Sequence, residues 1–495
     1  MKRSIRTDRP ALIAAALIFA GLIFRLLFLG DSHFAFDEAF FYDTALKIAQ
    51  LKSFPVYGAF VTGASVRVPG GGFHLLMSLP LFFSRHPYGP LLLVMSLGSL
   101  GQYLIFILFR RFFGPKAAIF ALIITIFNPF FVFFADSIWN PDVLIFFGAL
   151  WLFLMVRALD GRAWAIFFLG VLLTFLPQIH LSTVHLGIIT LVLLAVKRPR
   201  LRYGILVLGV LIGLATYIPY FIVDFHHHFA NTLALLHSGP KAFQPVQVLR
   251  ALAYLVVYPA GEATYFIAKG SWFTLKEWQF YPRGMHTYLY DISNGHAWGY
   301  IVIAILFLSV ILAFAAMVWW IVKGRDRNNP LFTLYWLNLV ILPVEFLLAR
   351  KEFFPHYTIV LFPLCLAPLS ALVAKSGPRL YKGLMIAGIV LALAQAVTVR
   401  GWYTQEEEVV GLSTFLKAGK IVCFDPAPSV SFNIHAVRSR VGNYPIRTLC
   451  RDYFRHPKNF SNRAKTRYGI YPTNHHINTK HWDLGSAILT KRVIR

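Results

Sequence analysis

Apolar stretches long enough to cross a bilayer recur along most of this chain, and they leave few folds open. A spanning helix needs about 17–25 predominantly apolar residues. Inside lipid only helices and closed barrels satisfy their backbone polar groups. Such stretches fall near 11–30, 91–109, 117–135, 142–158, 163–179, 183–196, 203–223, 297–322, 331–349, 356–374 and 383–399. The composition agrees: 57% hydrophobic, 16% aromatic, mean hydropathy +0.62. Those values exclude an ordinary soluble protein. They predict an all-α polytopic membrane protein of about eleven transmembrane helices. Lys2, Arg3 and Arg6 before the first stretch resemble a signal peptide. The apolar run is long for one, and no small-x-small cleavage site follows, so we read an uncleaved first span.

The charges test this topology. Arg110-Arg111 with Lys116, Arg157 with Arg162, Lys197-Arg198-Pro199-Arg200 with Arg202, Lys323 with Arg325 and Arg327, and Lys375 with Arg379 and Lys382 occupy alternate loops. Together with Lys2-Arg3 they fall on one side, which the positive-inside rule makes cytoplasmic. The N-terminus is then cytoplasmic, and an odd number of spans puts the C-terminus outside. The net charge of +26 needs no nucleic acid to explain it. Much of the excess follows Arg400, in a tail suited to anionic head groups or phosphates.

The opposite side receives two long loops, 31–90 and 224–296, and the tail. In the first loop, 39–51 reads as an amphipathic helix on the membrane surface. Pro69-Gly70-Gly71-Gly72 breaks the chain before a short apolar helix at 73–84. A further interfacial helix is expected at 246–258, and Trp272, Trp278, Tyr281, Tyr288, Tyr290 and Trp298 suit the interface belt. We divide the chain into a membrane domain, 1–400, and a small mixed α/β soluble domain, 401–495, outside the membrane. In the latter a helix is expected over 406–418 and a strand over 421–424. Cys365 lies in an apolar segment; Cys423 and Cys450 are in the tail and can pair only in an oxidising compartment.

Nearly every polar residue of chemical interest falls on the outer side. Asp37 and Glu38, in Phe36-Asp37-Glu38-Ala39-Phe40-Phe41-Tyr42, follow the first span, with Asp43 beyond. Adjacent carboxylates at a membrane surface are costly to desolvate. Asp37 is either a helix-capping acid or a general base. Asp136 and Asp142 lie in Ala135-Asp136-Ser137-Ile138-Trp139-Asn140-Pro141-Asp142, where an acid after Asn-Pro also favours a helix start. Arg67 precedes the triple glycine. His180 and His185 flank the fifth and sixth spans. Arg350, Lys351, Glu352 and His356 join the ninth and tenth; Arg350 and Lys351 are equally suited to snorkelling to head groups. His226-His227-His228 with Asp224 is a weak metal motif, because consecutive helical residues diverge. The combination of acids and cations on one face fits a lipid-borne anionic substrate and a second substrate from outside. The cations would hold a phosphate, and a carboxylate would take a hydroxyl proton.

These residues, in this order, resemble the GT-C superfamily of membrane glycosyltransferases, which use polyprenyl-phosphate sugars. The resemblance is to protein O-mannosyltransferases and to lipid A aminoarabinose transferases. It is carried by Asp37-Glu38-Ala39-Phe40-Phe41-Tyr42, Arg67 before Pro69-Gly70-Gly71-Gly72, Asn140-Pro141-Asp142, Gln178-Ile179-His180, and His356-Tyr357 with Pro363, across roughly 10–400. It implies Asp37 as general base assisted by Glu38, and Asp142 as the acid that helps position the acceptor or the first-loop groups. It implies Arg67, Arg350, Lys351 and His356 at the donor phosphate, with Asp136 and His180 nearby on the acceptor side. It further implies inversion at the anomeric carbon and no obligatory metal or other cofactor. The expected partners are a polyprenyl-phosphate-linked sugar, a lipid, glycan or protein acceptor, and membrane lipids, with no nucleic acid. The expected location is a bacterial inner membrane, C-terminus periplasmic. Where lipid A enzymes have a lysine followed by two prolines, this chain has Arg67-Val68-Pro69-Gly70. The competing class is a transporter or flippase of lipid-linked sugars. Transporters usually carry inverted repeats and mid-membrane sites; here no repeat is found and the polar residues sit at one face.

Overall fold

The computed structural model describes residues 8–29, 32, 36–61, 66–199, 201–237, 245–261, 296–324, 328–349, 353–404, 466–472, 481–483 and 487–493. Among them, six helices are long and apolar enough to cross a membrane, or seven if one bent pair counts as a single span. Every stretch that the hydropathy pattern picked is helical, but several are short, between 10 and 17 residues. Length alone therefore supports six or seven crossings rather than eleven.

Helix α1 (Arg9–Leu27) packs against α4 (Tyr88–Ile126). The 39 residues of α4 would run to about 58 Å if straight, nearly twice a bilayer core. The helix is broken at Gly114 (φ 84°, ψ 169°), followed by Pro115. The left-handed φ is open to glycine and the proline removes a helical donor, so 88–113 and 115–126 are two segments. The predicted stretches 91–109 and 117–135 fall on either side of this break.

Between α1 and α4 lie α2 (Phe36–Ala49), a two-stranded ribbon of β1 (Tyr57–Phe60) and β2 (Arg67–Pro69), and α3 (Gly72–Leu81). The short α5 (Pro129–Phe133) is capped by Asn128, whose Oδ1 accepts from the Phe130 and Phe131 amides. A 3₁₀ turn, Asn140–Val143, leads into α6 (Leu144–Leu159). Then come α7 (Ala163–Phe175), the turns Leu176–Gln178 and Leu181–Thr183, and α8 (Val184–Lys197). Helix α9 (Tyr203–Ala215) lies tight against α7. A Cβ on Gly209 would stand 2.1 Å from the Phe167 carbonyl oxygen, and one on Gly170 2.5 Å from that of Leu206. Small residues let the two backbones approach, as membrane helices do. The 203–223 stretch is one apolar run in sequence but bends 48° between α9 and α10 (Ile218–His226), where Pro219 opens the second helix.

After α11 (Ala230–His237), α12 (Pro245–Ala260) matches the predicted interfacial helix but is wedged against α13 (Ala297–Val322) and α14 (Pro330–Ala349). Tyr258 and Ala251 on it are fully buried. The turns Pro355–Tyr357 and Ile359–Leu361 precede α15 (Phe362–Cys365), α16 (Ala367–Lys375) and α17 (Pro378–Thr404). In the tail, β3 (Thr466–Pro472), β4 (His481–Asp483) and β5 (Ala487–Val493) form an antiparallel sheet of order β3-β5-β4, with Ile470 opposite Leu489 and Trp482 opposite the same residue. The expected helix at 406–418, the strand at 421–424, Cys423, Cys450 and the aromatic residues 272–290 lie outside the described residues. Cys365 is a buried free thiol.

The basic loops meet at one end of the bundle. Arg110 pairs with Asp8 at 2.5 Å, Arg111 grips Asp160 with two bonds of 2.5 and 2.7 Å, and Lys116 lies 4.8 Å from the Tyr381 ring. Helix α6 carries the chain from Asp160 at this end to Asp142 at the other, about 25 Å away.

Candidate active site

The far end of the bundle gathers segments from across the sequence. Asp37 and Glu38 open α2, where the helix dipole favours acids. Glu38 is buried, whereas Asp37 is exposed. Asp37 and Phe40 are three residues apart, so they share a face of α2. The Phe40 ring lies 5.4 Å from the Arg67 guanidinium. Phe41, the next residue, packs into the core against Phe73, and His74 packs among Phe40, Phe41 and Phe73. Burial and the Arg67 charge push His74 down to about 3, so it is neutral.

Asp142 is the helix-start acid that the Asn-Pro pair implied. Its Oδ2 accepts from the Trp139 amide at 3.1 Å and from the Ser137 hydroxyl. Its Oδ1 is buried without a hydrogen-bond partner among the described residues. Glu38 and Asp136 both lie within electrostatic reach of it. Three carboxylates from two loops thus share one enclosure, an arrangement that separates their protonation states. Asp136 is fully buried, with no hydrogen bond to either oxygen among the described residues. Burial raises its pKa well above the ordinary carboxylate value, and the Arg25 charge partly offsets this.

Arg25 is the functional-looking residue that the sequence concealed. It sits inside the first apolar run, 1% exposed, donating to Ser99 Oγ at 2.9 Å and to the Gly21 carbonyl at 3.3 Å. Gly98 leaves it room: a Cβ there would stand 2.8 Å from its Nη1.

The triple glycine seats the first loop on the turn before His180. A Cβ on Gly70 would fall 2.4 Å from Gln178 Oε1, and one on Gly72 2.9 Å from the Phe175 ring. Gln178 donates onward to Thr216 at the α9–α10 bend. Asn140 Nδ2 donates to the Ile179 carbonyl at 2.8 Å, tying the Asp142 turn to His180. His180 then meets His356 edge-on at 5.5 Å and Tyr357 at 5.8 Å, while Trp139 meets His356 at 5.0 Å. Tyr258, from the second long loop, donates to the Pro355 carbonyl at 2.6 Å and fixes that turn. Burial depresses His180 to about 4; its side chain keeps some accessible surface, but crowding by protein dominates. His356 is lowered well below the usual histidine value by burial and by His180. Both are neutral near pH 7, so His356 offers a hydrogen bond to an anion but no charge.

Arg67 is half-buried beneath three rings, Phe40, Tyr57 and Phe60, at 5.1–5.5 Å, and its Nε donates to the Gly58 carbonyl at 3.1 Å. Another arginine, Arg250 on α12, is buried beside the Phe353 ring at 6.0 Å, three residues before His356. The structure therefore brings Glu38, Asp136, Asp142, His180 and His356 into one connected cluster, with Asp37 next to Glu38 on α2 and Arg67 over the Phe40 ring of the same helix. Arg350, Lys351 and Glu352 lie outside the described residues. Asp43 bonds Lys47 one turn along α2 at 2.5 Å. His185 faces Glu345 at 2.5 Å and Asn338 at 2.6 Å, within the helices. Asp224 organises a turn with Tyr220 and Thr232, and among the described residues no group of three or more His, Cys, Asp or Glu could hold a metal ion.

No family model matches the sequence, and no curated protein matches it. Solved structures similar to it include ArnT from Cupriavidus metallidurans in the apo state, at 13% identity and TM-score 0.49, covering 99% of this chain and 98% of that one. ArnT from the same organism bound to undecaprenyl phosphate is similar at 12% identity and TM-score 0.49, covering 96% and 97%.

Proposed function

We propose that this chain is an inverting glycosyltransferase. It takes a sugar from a polyprenyl-phosphate donor and passes it to a lipid, glycan or protein hydroxyl at the non-cytoplasmic face. The observation that supports it best is the gathering of Asp37, Glu38, Asp142, Arg67, His180 and His356 at the end of the bundle opposite the basic loops. The topology that goes with it has eleven crossings, the short helices included. Its N-terminus is in the cytoplasm of a bacterial cell, its membrane domain spans 1–400, and a 401–495 domain lies in the periplasm.

The chemistry asks for modest machinery. A sugar phosphoester already carries a good leaving group, so the protein must orient the acceptor, remove its proton and stabilise the departing phosphate. The acceptor oxygen attacks the anomeric carbon as the bond from that carbon to the phosphate oxygen breaks. Asp37 takes the acceptor proton, since it is the accessible carboxylate of the pair. Glu38 and Asp142 hold the acceptor side. The negative charge leaves with the lipid phosphate, held by Arg67 together with Arg350 and Lys351, and hydrogen-bonded by His356. A single displacement inverts the anomeric configuration. Arginine and lysine supply the positive charge, so this route calls for no metal.

The test is Asp37→Asn. It should lower transfer by about 10²–10⁴-fold, the range for a lost general base, while leaving detergent-solubilised melting unchanged. Near-normal turnover of the folded variant would remove Asp37 from the mechanism.

A further inference from the structure

Arg67 stands on β2, a strand of three residues paired on one edge to β1, with Phe60 opposite Arg67. A ribbon this short is marginal alone. The unpaired edge is filled from 164 positions away. The Arg67 amide donates to Asn231 Oδ1 at 2.9 Å, and Asn231 Nδ2 donates to the Arg67 carbonyl at 2.9 Å. One carboxamide thus meets both backbone groups of one residue, as a neighbouring strand would.

Asn231 is itself held from behind. The buried Asp224 carboxylate accepts from the Asn231 amide (3.0 Å), the Thr232 amide (3.1 Å), the Thr232 hydroxyl (2.6 Å) and the Tyr220 hydroxyl (3.0 Å). Tyr220 in turn accepts from Asn231 Nδ2 at 3.1 Å, so the orientation of the carboxamide is fixed. His228 and Phe229 adopt left-handed φ values of 54° and 56°, turning the chain so that Asn231 faces β2. The sequence suggested a metal motif here; the structure makes it a support for a cation.

We infer that Asn231, braced by Asp224, is a positioning residue that pre-organises Arg67 to hold the phosphate of a polyprenyl lipid. The inference rests on the proposed function. The rings of Phe40, Tyr57 and Phe60 fix the guanidinium, and Asn231 fixes the backbone from which it projects. Binding then loses little to ordering of the arginine. The second long loop thereby tunes the donor affinity of the first.

The experiment measures binding of undecaprenyl phosphate and of uncharged undecaprenol to the purified full-length protein in nanodiscs. It compares wild type, Arg67→Ala, Asn231→Ala, Asn231→Asp and the Arg67→Ala/Asn231→Ala pair. Arg67→Ala should weaken the phosphate lipid by about 10-fold or more, as loss of a charge-assisted contact does, and leave undecaprenol unchanged. Asn231→Ala should weaken the phosphate lipid several-fold, again sparing undecaprenol. The double variant should match Arg67→Ala, because a lost side chain needs no positioning. Asn231→Asp keeps the acceptor for the Arg67 amide and loses the donor, so its defect should be smaller but of the same kind. If Asn231→Ala does not fold, this variant decides. Wild-type phosphate affinity in the Asn231 variants, or equal loss of both lipids, overturns the inference while the donor-phosphate role of Arg67 stands. An Arg67→Ala variant that binds undecaprenyl phosphate normally overturns that role and the inference with it.

Discussion

Gly148→Ala is the perturbation whose consequence the structure fixes most tightly. Gly148 lies on α6, about two turns beyond Asp142, and faces the turn Ile359–Leu361, which directly follows the turn that carries His356. A Cβ there would stand 1.9 Å from the Val360 carbonyl oxygen and 2.9 Å from its carbon. Both atoms are backbone, so no side chain can swing away. Restoring the 3.0 Å that real Cβ contacts respect requires α6 and the 359–361 turn to separate by about 1 Å. Overpacking of this kind costs about 1–3 kcal/mol. The displacement also reaches His356 and Tyr357, held between Trp139 and His180, and misplacement by 1 Å at a reacting centre costs about 10²-fold in rate. Turnover of a labelled polyprenyl-phosphate sugar and the unfolding midpoint should be measured side by side. Gly209→Ala makes the comparison, since its Cβ would clash as badly, 2.1 Å from the Phe167 oxygen, but between α7 and α9. Both variants should melt earlier, and only Gly148→Ala should lose about 10²-fold per folded molecule. Turnover within twofold of wild type for Gly148→Ala, at equal destabilisation, would refute the coupling of that contact to the site.

Other outcomes follow from the same geometry. Arg25→Met removes the charge within electrostatic reach of Asp136 and the bonds to Ser99 and Gly21, and should cost about 1–3 kcal/mol, as loss of hydrogen bonds from a buried charged group does. Adding Asp136→Leu should restore part of the melting temperature, and no recovery would show that the two do not act together. The folded pKa values of His74 (about 3) and His180 (about 4) lie below the ordinary 6.5, so the unfolded chain binds more protons. Stability should be full above about pH 6.5 and fall on acidification toward pH 4, by about 1.4 kcal/mol per pH unit for each histidine. His180→Gln should flatten that slope, and an unchanged slope would contradict the buried neutral state. In a background lacking Cys423 and Cys450, Ser53→Cys should react with an impermeant maleimide in intact cells and Arg162→Cys only after permeabilisation. The reverse pattern would invert the topology.

The hydropathy pattern located α13 to the residue, because no charged residue interrupts Ala297–Val322. Arg110-Arg111 with Lys116 likewise marked the region where α4 breaks. The 48° bend between α9 and α10 was hidden, since Pro219 occupies a first helical turn where proline is tolerated and the residues stay apolar. In the site, Asp142 and His180 stood out as polar residues at span ends. Arg25 did not, because one arginine in an apolar run is normally read as a snorkelling end. Asn231 carried no signal at all: its function lies in a contact across 164 positions that no local pattern encodes. The adjacent triple histidine drew attention away from Asp224, whose four accepted bonds are visible only in three dimensions.

The most direct measurement incubates the purified protein with a panel of radiolabelled polyprenyl-phosphate sugars and a membrane extract. One donor should lose its label to the extract with wild type and keep it with Asp37→Asn. A panel in which no donor loses label, or in which both proteins release it equally, would contradict a sugar-transferring site at the outer end of this bundle.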